Sequence, residues 1–285
     1  MPTVSVVIPT FNRENFIEKS VTSVMAQTRQ PDEIIVVDDG SDDNTWSVLK
    51  DIGFSQSASE KNTFRYILQT NKGVSSARNV GIEASRHDYI ALLDSDDVWQ
   101  KNKLEKQLIS LEKQEFCFRL SHTDEIWFRN GARVNSRKKH AKTGGDIFMK
   151  CLKLCCISPS STLIHRSVFD DFGYFDETLP ACEDYDFWLR FCAYENVHYL
   201  DEPLLIKFGG HDGQLSNAHW GMDRFRIYAL EKLLRDHRLE SFKRQETLKE
   251  VLFRLEVLIN GSHKRNKTTF AQEMMAKKSY WEGVS

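Results

Sequence analysis

The sequence predicts an α/β fold, with a mostly parallel central sheet flanked by helices and a helical extension at its C-terminus. Two observations support this fold class. Over the first hundred residues, short β-branched runs alternate with amphipathic segments, which is typical of βαβ units and a parallel sheet. From about residue 219 to 260, apolar residues recur at helical spacing.

The elements of the N-terminal half follow from local patterns of apolar residues. Short apolar runs predict strands, and stretches with apolar residues three or four apart predict helices. The predicted strands are Val4–Ile8, Glu33–Val37, Phe64–Leu68 and Tyr89–Leu93, and the predicted helices are Glu14–Gln27, Asn44–Ile52 and Ser75–Ala84.

After residue 100 the pattern is less regular. Further helices are predicted at Lys103–Lys113, Asp146–Leu154 and Tyr185–Tyr194, and a strand at Ser161–His165. The basic segment 129–142 predicts a solvated loop, or alternatively a surface that orders over an anionic acceptor or membrane. The last 25 residues are polar. We therefore expect one domain over residues 1–215 and a helical extension with a polar tail over 216–285.

Composition excludes several classes of protein. Of the 285 residues 40% are hydrophobic, which is enough for a packed core and excludes wholesale disorder. With 39 basic and 41 acidic residues, the net charge of −2 argues against a globally basic nucleic-acid-binding protein. No apolar run approaches the roughly 20 residues of a membrane span, and the N-terminus lacks a secretory pattern. The six cysteines include no C-x-x-C pair, so we expect reduced thiols and a cytoplasmic protein.

Polar side chains follow three of the predicted strands, at the point where each strand ends. Thr10-Phe-Asn-Arg13 follows the first strand, Asp38-Asp39 the second, and Asp94-Ser-Asp-Asp97 the fourth. Ligands of open α/β sheets bind outside the carboxyl ends of the strands. Three carboxylates within residues 94–97 repel one another, so we expect a hard divalent cation between them and a pyrophosphate.

Four motifs in this order resemble those of the family 2 glycosyltransferases, which have the Rossmann-like A-type nucleotide-sugar-binding fold. They are Val4-Ser-Val-Val-Ile-Pro-Thr-Phe-Asn-Arg13, Ile35-Val-Val-Asp-Asp-Gly-Ser41, Asp94-Ser-Asp-Asp97 and Cys182-Glu-Asp-Tyr-Asp-Phe-Trp-Leu-Arg190. The resemblance covers about residues 3–215. It implies a nucleotide-sugar half over about 1–100 and an acceptor half over about 101–215. The chain has no Q-x-x-R-W motif, which argues against a processive synthase.

The resemblance implies which residues bind the donor nucleotide. They are Pro9, Thr10, Asn12, Arg13, Asp39, Arg78, Asp94 and Ser95. In the family, the residue matching Asp39 contacts the base, the one matching Arg78 lies near the base and the phosphates, and the one matching Asp94 binds the ribose.

The same resemblance implies a metal site and a catalytic base. Asp96, in a D-x-D motif, is the implied metal ligand, and His211 is a further ligand that favours Mn²⁺ over Mg²⁺. Asp184 is the implied base, and the start of a helix helps to keep its carboxylate ionised.

These residues also have ordinary structural interpretations. Asp39 precedes Gly-Ser and suits a turn, Arg78 suits a solvated helix surface, and a lone loop histidine such as His211 is commonly a surface residue. Glu183 and Asp184 both suit the first turn of a helix, and Glu183 is the rival to Asp184 as the base.

The predicted activity is a metal-dependent, inverting transfer of a sugar from a nucleotide diphosphate donor, with a UDP-sugar favoured, to an acceptor hydroxyl. The predicted cofactor is Mn²⁺ or Mg²⁺, and the resemblance implies polysaccharide, lipopolysaccharide or glycolipid assembly. A nucleotidyltransferase is disfavoured because Pro9-Thr-Phe-Asn-Arg13 contains no glycine. A non-catalytic glycan-binding or scaffold protein is disfavoured because every expected acid is present. The C-terminal helices are expected to form a homodimer interface or to cover the catalytic core, and peripheral association with the inner face of the membrane is left open.

Overall fold

The short apolar runs of the N-terminal half form four parallel strands in a computed structural model that describes residues 2–55, 63–134, 140–210 and 219–283. The strands are β1 (Val4–Thr10), β2 (Glu33–Asp38), β3 (Phe64–Leu68) and β4 (Tyr89–Leu92), and the helices among them are α1 (Ile17–Met25), α2 (Thr45–Asp51) and α3 (Val74–Ala84). Their order in the sheet is β3-β2-β1-β4, with every neighbouring pair parallel. These predicted strands and helices are confirmed.

The second half of the sheet mixes strand directions. It contains β5 (Val98–Trp99), β6 (Leu120–Arg129), β7 (Ala132–Val134), β8 (Leu163–His165) and β9 (His198–Gly209). From β4 outward the order is β8-β6-β9-β5, and β7 pairs with β6. Strand β8 is antiparallel to β4 and β6, whereas β6 and β9 are parallel. The sequence did not predict β6 and β9, because charged and polar residues on their half-exposed faces interrupt the apolar pattern.

The two faces of the sheet pack against different sets of helices. Alternate residues of β1 point to opposite faces, so Val6 and Ile8 join a core with α1, α2 and α4 (Lys103–Glu112), while Val7 joins the core on the other side. The helices of that second core are α3, α5 (Phe148–Lys153), α6 (Ser167–Phe172) and α7 (Glu183–Cys192). Helix α7 is therefore fixed beside α3 on one face of the sheet.

Three C-terminal helices continue the second core. They are α8 (Asp223–Leu234), α9 (Ser241–His263) and α10 (Thr268–Gly283). Lys232 of α8 pairs with Asp186 of α7 at 3.2 Å, and Arg254 of α9 donates to the carbonyl of Leu152 at 3.1 Å. The helical extension thus covers α5 and α7, which is one of its two predicted roles. The homodimer stays a prediction.

The polar tail contains a helix that the sequence did not predict. The indole of Trp281 in α10 is buried and donates to Glu231 at 2.8 Å. Few residues of α10 are buried, so its mostly polar composition gave no sign that the helix packs against the rest of the protein. Within the part of the chain that the structure describes, no helix has both the length and the apolar character to cross a bilayer.

The basic segment 129–142 differs from the predicted loop. It begins with a hairpin, in which β7 pairs with the end of β6 across Asn130 and Gly131. Both turn residues have positive φ, at 50° and 77°, as an Asn-Gly hairpin turn requires. At the other end, Lys142 is buried in an ion pair with Glu125 at 2.8 Å. The intervening residues 135–139 lie outside the described ranges.

Candidate active site

The tips of β1 and β2 are tied together where the sequence predicts the nucleotide. Thr10 lies in register with Asp38, and the amide of Asp39 donates to the Thr10 carbonyl at 2.8 Å. The carboxylates of Asp38 and Asp39 have different hydrogen-bond partners. Asp38 is a structural residue, because its carboxylate accepts hydrogen bonds from the Ser41 amide at 2.8 Å and the Tyr66 hydroxyl at 2.7 Å.

Asp39 fixes the start of α3. Its carboxylate accepts hydrogen bonds from the Gln69 side chain at 2.7 Å and from the amides of Lys72 and Gly73 at 2.8 Å each. Gly73 has a φ of 93°, which favours glycine, so the turn into α3 depends on both residues. A carboxylate offers about four lone-pair positions, so three bonds leave Asp39 room for one further donor.

The segment after β1 is held against the loop that follows β2. The Asn12 amide donates to Ser41 at 2.9 Å and the Arg13 amide donates to Thr45 at 2.9 Å, with Asn12 at a left-handed φ of 52°. Beside Pro9, the buried Thr10 hydroxyl has no hydrogen-bond partner among the described residues. A buried hydroxyl without a partner is costly, so this atom suits contact with a ligand.

The acidic loop, residues 94–97, follows β4 and forms ion pairs with cations from other elements of the fold. Asp94 pairs with Arg78 at 2.7 Å, and Asp97 pairs with Lys207 at 3.0 Å. Burial opposes ionisation of Asp94, but Arg78 and Lys207 outweigh it and hold the pKa of Asp94 below its ordinary value. Burial raises the pKa of Asp97 to about 7, with Lys207 opposing the rise and Asp96 adding to it. Two internal cations therefore balance much of the charge for which the sequence suggested a divalent ion.

Asp96 is the member of the acidic loop that lines a cleft. This cleft has a volume of about 240 Å³ and is bordered by Phe16, Phe128 and Phe208. The rings of Phe128 and Phe208 stack with their centroids 5.9 Å apart. The neighbouring Ser95 is buried, and its carbonyl accepts a hydrogen bond at 2.8 Å from Ser20 of α1. Asp96 is thus the carboxylate of this loop that is placed to reach a bound group.

Arg78 joins the acidic loop to α7. Its buried guanidinium donates to Asp94 at 2.7 Å and to Glu183 at 2.5 Å, and it lies 5.3 Å from the centre of the Phe175 ring. Its Nε has no hydrogen-bond partner among the residues described. The solvated helix surface considered from the sequence is wrong for Arg78, because the arginine is only 3% exposed.

Asp184 and Glu183 occupy different environments at the start of α7. Glu183 is buried against Arg78, and burial raises its pKa, with Arg78 opposing the rise and Asp184 adding to it. Asp184 is half-buried, and its carboxylate accepts hydrogen bonds from the Tyr185 amide at 2.7 Å and the Cys155 thiol at 3.1 Å. The helix begins after Cys182, whose φ of 64° is left-handed. Asp184 is therefore the more accessible of the two acids.

Few side chains of the described residues are available to bind a metal ion. Within the described ranges, no group of three or more His, Cys, Asp or Glu side chains is arranged to hold a metal ion. His211, the second predicted ligand, lies outside the described residues. Asp96 nevertheless fits a site of the kind that Mg²⁺ and Mn²⁺ form with one or two carboxylates and substrate phosphates.

Comparison with known proteins defines the class to which this chain belongs. The family model described as Glycosyl transferase family 2 matches residues 5–173. The chain therefore belongs to this family: it is a glycosyltransferase that acts on nucleotide sugars. The family membership that the four sequence motifs predicted is confirmed.

Individual relatives are more specific. An uncharacterised glycosyltransferase of Rickettsia typhi is 32% identical over 228 residues, which are 76% of this chain and 67% of that protein. WfgD of Escherichia coli, a UDP-Glc:alpha-D-GlcNAc-diphosphoundecaprenol beta-1,3-glucosyltransferase, is 32% identical over 70% of this chain and 73% of its own length. Crystal structures of S. aureus TarS 1-349, alone and with UDP-GlcNAc, each match with a TM-score of 0.67, at 20% and 19% identity, over 88% and 89% of this chain and 71% of theirs. The match to TarS confirms the predicted A-type fold with its C-terminal helices.

The structure brings most of the predicted site residues to one edge of the sheet. Sequence reasoning missed Lys207 and Cys155, which contact Asp97 and Asp184. A lysine within the apolar run of β9 was the available signal for Lys207. Cys155 had no signal, because its contact with α7 joins segments that are distant in sequence.

Proposed function

We propose that this protein is a metal-dependent, inverting glycosyltransferase that moves a sugar from a UDP-sugar to a hydroxyl of a lipid-linked glycan acceptor. Asp184 is the proposed base. The residues at the tips of β1, β2 and β4 form the proposed donor site.

One observation carries this proposal: the bridge made by Arg78. Arg78 contacts Asp94 and Glu183, which lie 16 and 105 residues away in sequence. The bridge places the start of α7, and with it Asp184, beside the end of β4. A base next to a donor site is the arrangement that a single displacement needs.

Two polar groups whose hydrogen-bonding capacity is not filled within the described residues support the proposed donor site. Asp39 has one remaining acceptor position, which suits the imide N–H of a uracil, and the Thr10 hydroxyl is buried without a partner among the described residues. Two related proteins point to the same donor class, since WfgD is named for UDP-Glc and TarS has been crystallised with UDP-GlcNAc.

The chemical step assigned to Asp184 is a proton transfer. As the acceptor hydroxyl oxygen attacks the anomeric carbon, its proton passes to the Asp184 carboxylate. The bond from the anomeric carbon to the diphosphate oxygen breaks with its electron pair on UDP. Attack from the face opposite the leaving group inverts the anomeric configuration, by the same geometric logic as in inverting glycosidases.

A divalent cation completes the proposed donor site. Asp96 would hold it together with oxygens of the donor diphosphate, because Asp96 is the carboxylate of the acidic loop that lines the cleft. Bound there, Mn²⁺ or Mg²⁺ supplies charge stabilisation for the departing diphosphate.

The acceptor class rests on a relative. WfgD is named for a GlcNAc-diphosphoundecaprenol acceptor, and it shares 32% identity with this chain over 198 residues. We therefore propose that the acceptor is lipid-linked. The enzyme would then act at the inner face of the membrane, in the assembly of a polysaccharide or glycolipid.

Substitution of Asp184 tests the base. Asp184→Asn keeps the size of the side chain but removes its ability to accept a proton. We expect UDP affinity close to that of the wild type and a loss of turnover of about 10²–10⁴-fold. Glu183→Gln is the matched control. Transfer at near wild-type rate by Asp184→Asn, with no transfer by Glu183→Gln, would show that the base is Glu183.

Calorimetry tests the metal. UDP is titrated into the protein with Mn²⁺ or with EDTA, and we expect EDTA to weaken binding strongly. Asp96→Asn should weaken Mn²⁺-dependent UDP binding far more than uridine binding. Undiminished UDP affinity in EDTA would contradict the metal assignment while leaving the test of Asp184 unaffected.

A further inference from the structure

Lys207 is a half-buried lysine that belongs to none of the recognised motifs. It lies on β9, and its ammonium is 3.0 Å from the Asp97 carboxylate, with only 16% of the side chain exposed. Burial opposes the charge on Lys207, but the carboxylates of Asp97 and Asp94 outweigh it and raise its pKa above the ordinary value. Lys207 therefore supplies a positive charge in contact with the acidic loop.

The acidic loop is held by hydrogen bonds from two other directions. The Ser160 hydroxyl donates to Asp97 at 2.6 Å and accepts the Asp94 amide at 3.0 Å. The Ser20 hydroxyl lies 2.8 Å from the carbonyl of Ser95 and 2.7 Å from that of Asp97. The loop thus has a defined shape in which Asp97 points inward, while Asp96 lines the cleft.

The strand that carries Lys207 is fixed relative to the same loop. Val98 and Trp99, which follow the loop directly, pair with Ile206 and Leu205 of β9. The Trp99 indole also donates to the Ser160 carbonyl at 2.7 Å. The register of β5 on β9 therefore determines where the ammonium of Lys207 meets the loop.

We propose that Lys207 is a positioning residue for the donor site. Its ammonium is the built-in counter-cation of the acidic loop and fixes the loop, with Asp96 toward the cleft, before a divalent cation or donor binds. This inference rests on the proposed function insofar as the cleft receives a nucleotide diphosphate. It accounts for how three carboxylates share one short loop, because Lys207 and Arg78 balance part of their charge.

Direct binding of the donor phosphates is the other role open to a lysine here. The two roles differ in their dependence on Asp97. If Lys207 balances charge, neutralising Asp97 together with Lys207 restores the loop. If Lys207 contacts phosphate, neutralising Asp97 restores nothing, because the contact to the ligand is still lost.

A double-mutant cycle tests the proposal on the full chain. The four proteins are wild type, Lys207→Met, Asp97→Asn and the double variant, with Lys207→Arg as the conservative control. Two measurements are made: the melting temperature in EDTA without nucleotide, and the dissociation constant for UDP by calorimetry with Mn²⁺. The first measurement requires no nucleotide binding, so it tests the counter-cation even if the proposed donor is wrong.

The expected results are specific. EDTA leaves the wild-type melting temperature unchanged. Each single variant melts at a lower temperature, because it leaves one buried charge unpaired, and the double variant melts above both. Lys207→Met weakens UDP binding about tenfold or more, whereas Lys207→Arg and the double variant bind within about threefold of the wild type.

Three outcomes would overturn the proposal. Additive losses of melting temperature in the double variant would show that Lys207 and Asp97 do not act as a pair. Recovery of stability without recovery of UDP affinity would assign Lys207 to the ligand instead. A wild-type melting temperature that falls in EDTA would show that the loop requires a bound cation. Should Lys207→Met fail to fold, the comparison of the double variant with Asp97→Asn still decides the first point.

Discussion

The bridge made by Arg78 allows a prediction that separates a structural role from nucleotide binding. The change is Arg78→Met, which keeps an unbranched apolar stem in place of the arginine stem and removes both ion pairs. Arg78 is 3% exposed, and its partners Asp94 and Glu183 lie 2.7 and 2.5 Å away. Breaking a buried ion pair by removing one partner costs about 3–5 kcal/mol, because the remaining charge stays buried and uncompensated. We expect a loss of that size in the free energy of unfolding at pH 7.5.

The loss should depend on pH in a direction that the structure fixes. Burial already raises the pKa of Glu183 with Arg78 in place, and removal of the arginine raises it further. The folded variant then binds more protons than the unfolded chain, whose glutamates have a pKa of about 4.3. Its stability therefore increases as the pH falls toward the unfolded-state value. Between pH 7.5 and 5.5, the deficit of Arg78→Met should therefore become smaller.

Urea denaturation at the two pH values measures this deficit. Arg78→Met combined with Glu183→Gln serves as the control: it should be more stable than Arg78→Met at pH 7.5 and should lose most of the pH dependence. A variant within about 0.5 kcal/mol of the wild type, with UDP affinity lost, would refute the bridge and support a direct contact of Arg78 with the nucleotide.

Three further predictions concern other parts of the chain. Burial opposes the low pKa of Glu33, but hydrogen bonds from Ser5 and Arg86 outweigh it. Glu33→Gln should cost about 2–4 kcal/mol in urea at pH 7, and the difference from the wild type should narrow as the pH falls below the unfolded-state pKa of about 4.3 toward the lower pKa of the folded protein. Removal of the thiol donor by Cys155→Ala should lower kcat while UDP affinity stays within about twofold, because the Asp184 carboxylate loses a hydrogen bond that orients it, and Cys155→Ser should restore kcat. Trp281→Ala should lower stability by about 3–5 kcal/mol in denaturant titrations and leave UDP affinity within about twofold.

The first half of the fold was predictable because its signals are local. Strands β1, β2 and β4 are buried and mostly apolar, and β3 is a half-buried run of mostly apolar residues. The amphipathic helices between these strands dictate parallel pairing. Their polar ends then mark the ligand edge of the sheet. The long strands β6 and β9 carried no such signal. Their pairing includes an irregularity next to Asp124, and each strand mixes buried and exposed positions along its length.

The candidate site was predictable as a set of positions but not as a set of contacts. Motif matches located Asp39, Asp94 and Asp184, and the structure places them at the same edge of the sheet. Arg78 and Glu183 were both noticed in the sequence, yet nothing in it showed that they contact each other. An ion pair between residues 105 positions apart depends on how α3 and α7 pack, which spacing alone does not encode.

The acidic loop shows why the difference between predicted positions and observed contacts matters for function. From the sequence, three carboxylates in residues 94–97 argued for a divalent cation, because their mutual repulsion needs a positive charge. The fold supplies two positive charges from elsewhere, Arg78 from α3 and Lys207 from β9. Repulsion within the motif is therefore a weaker argument for the metal than the sequence suggested, although Arg78 is shared with Glu183. The argument that remains is geometric: Asp96 lines the cleft, and a single carboxylate beside a diphosphate is sufficient to hold Mg²⁺ or Mn²⁺. Metal dependence should accordingly appear when UDP binds and be absent from the stability of the free protein.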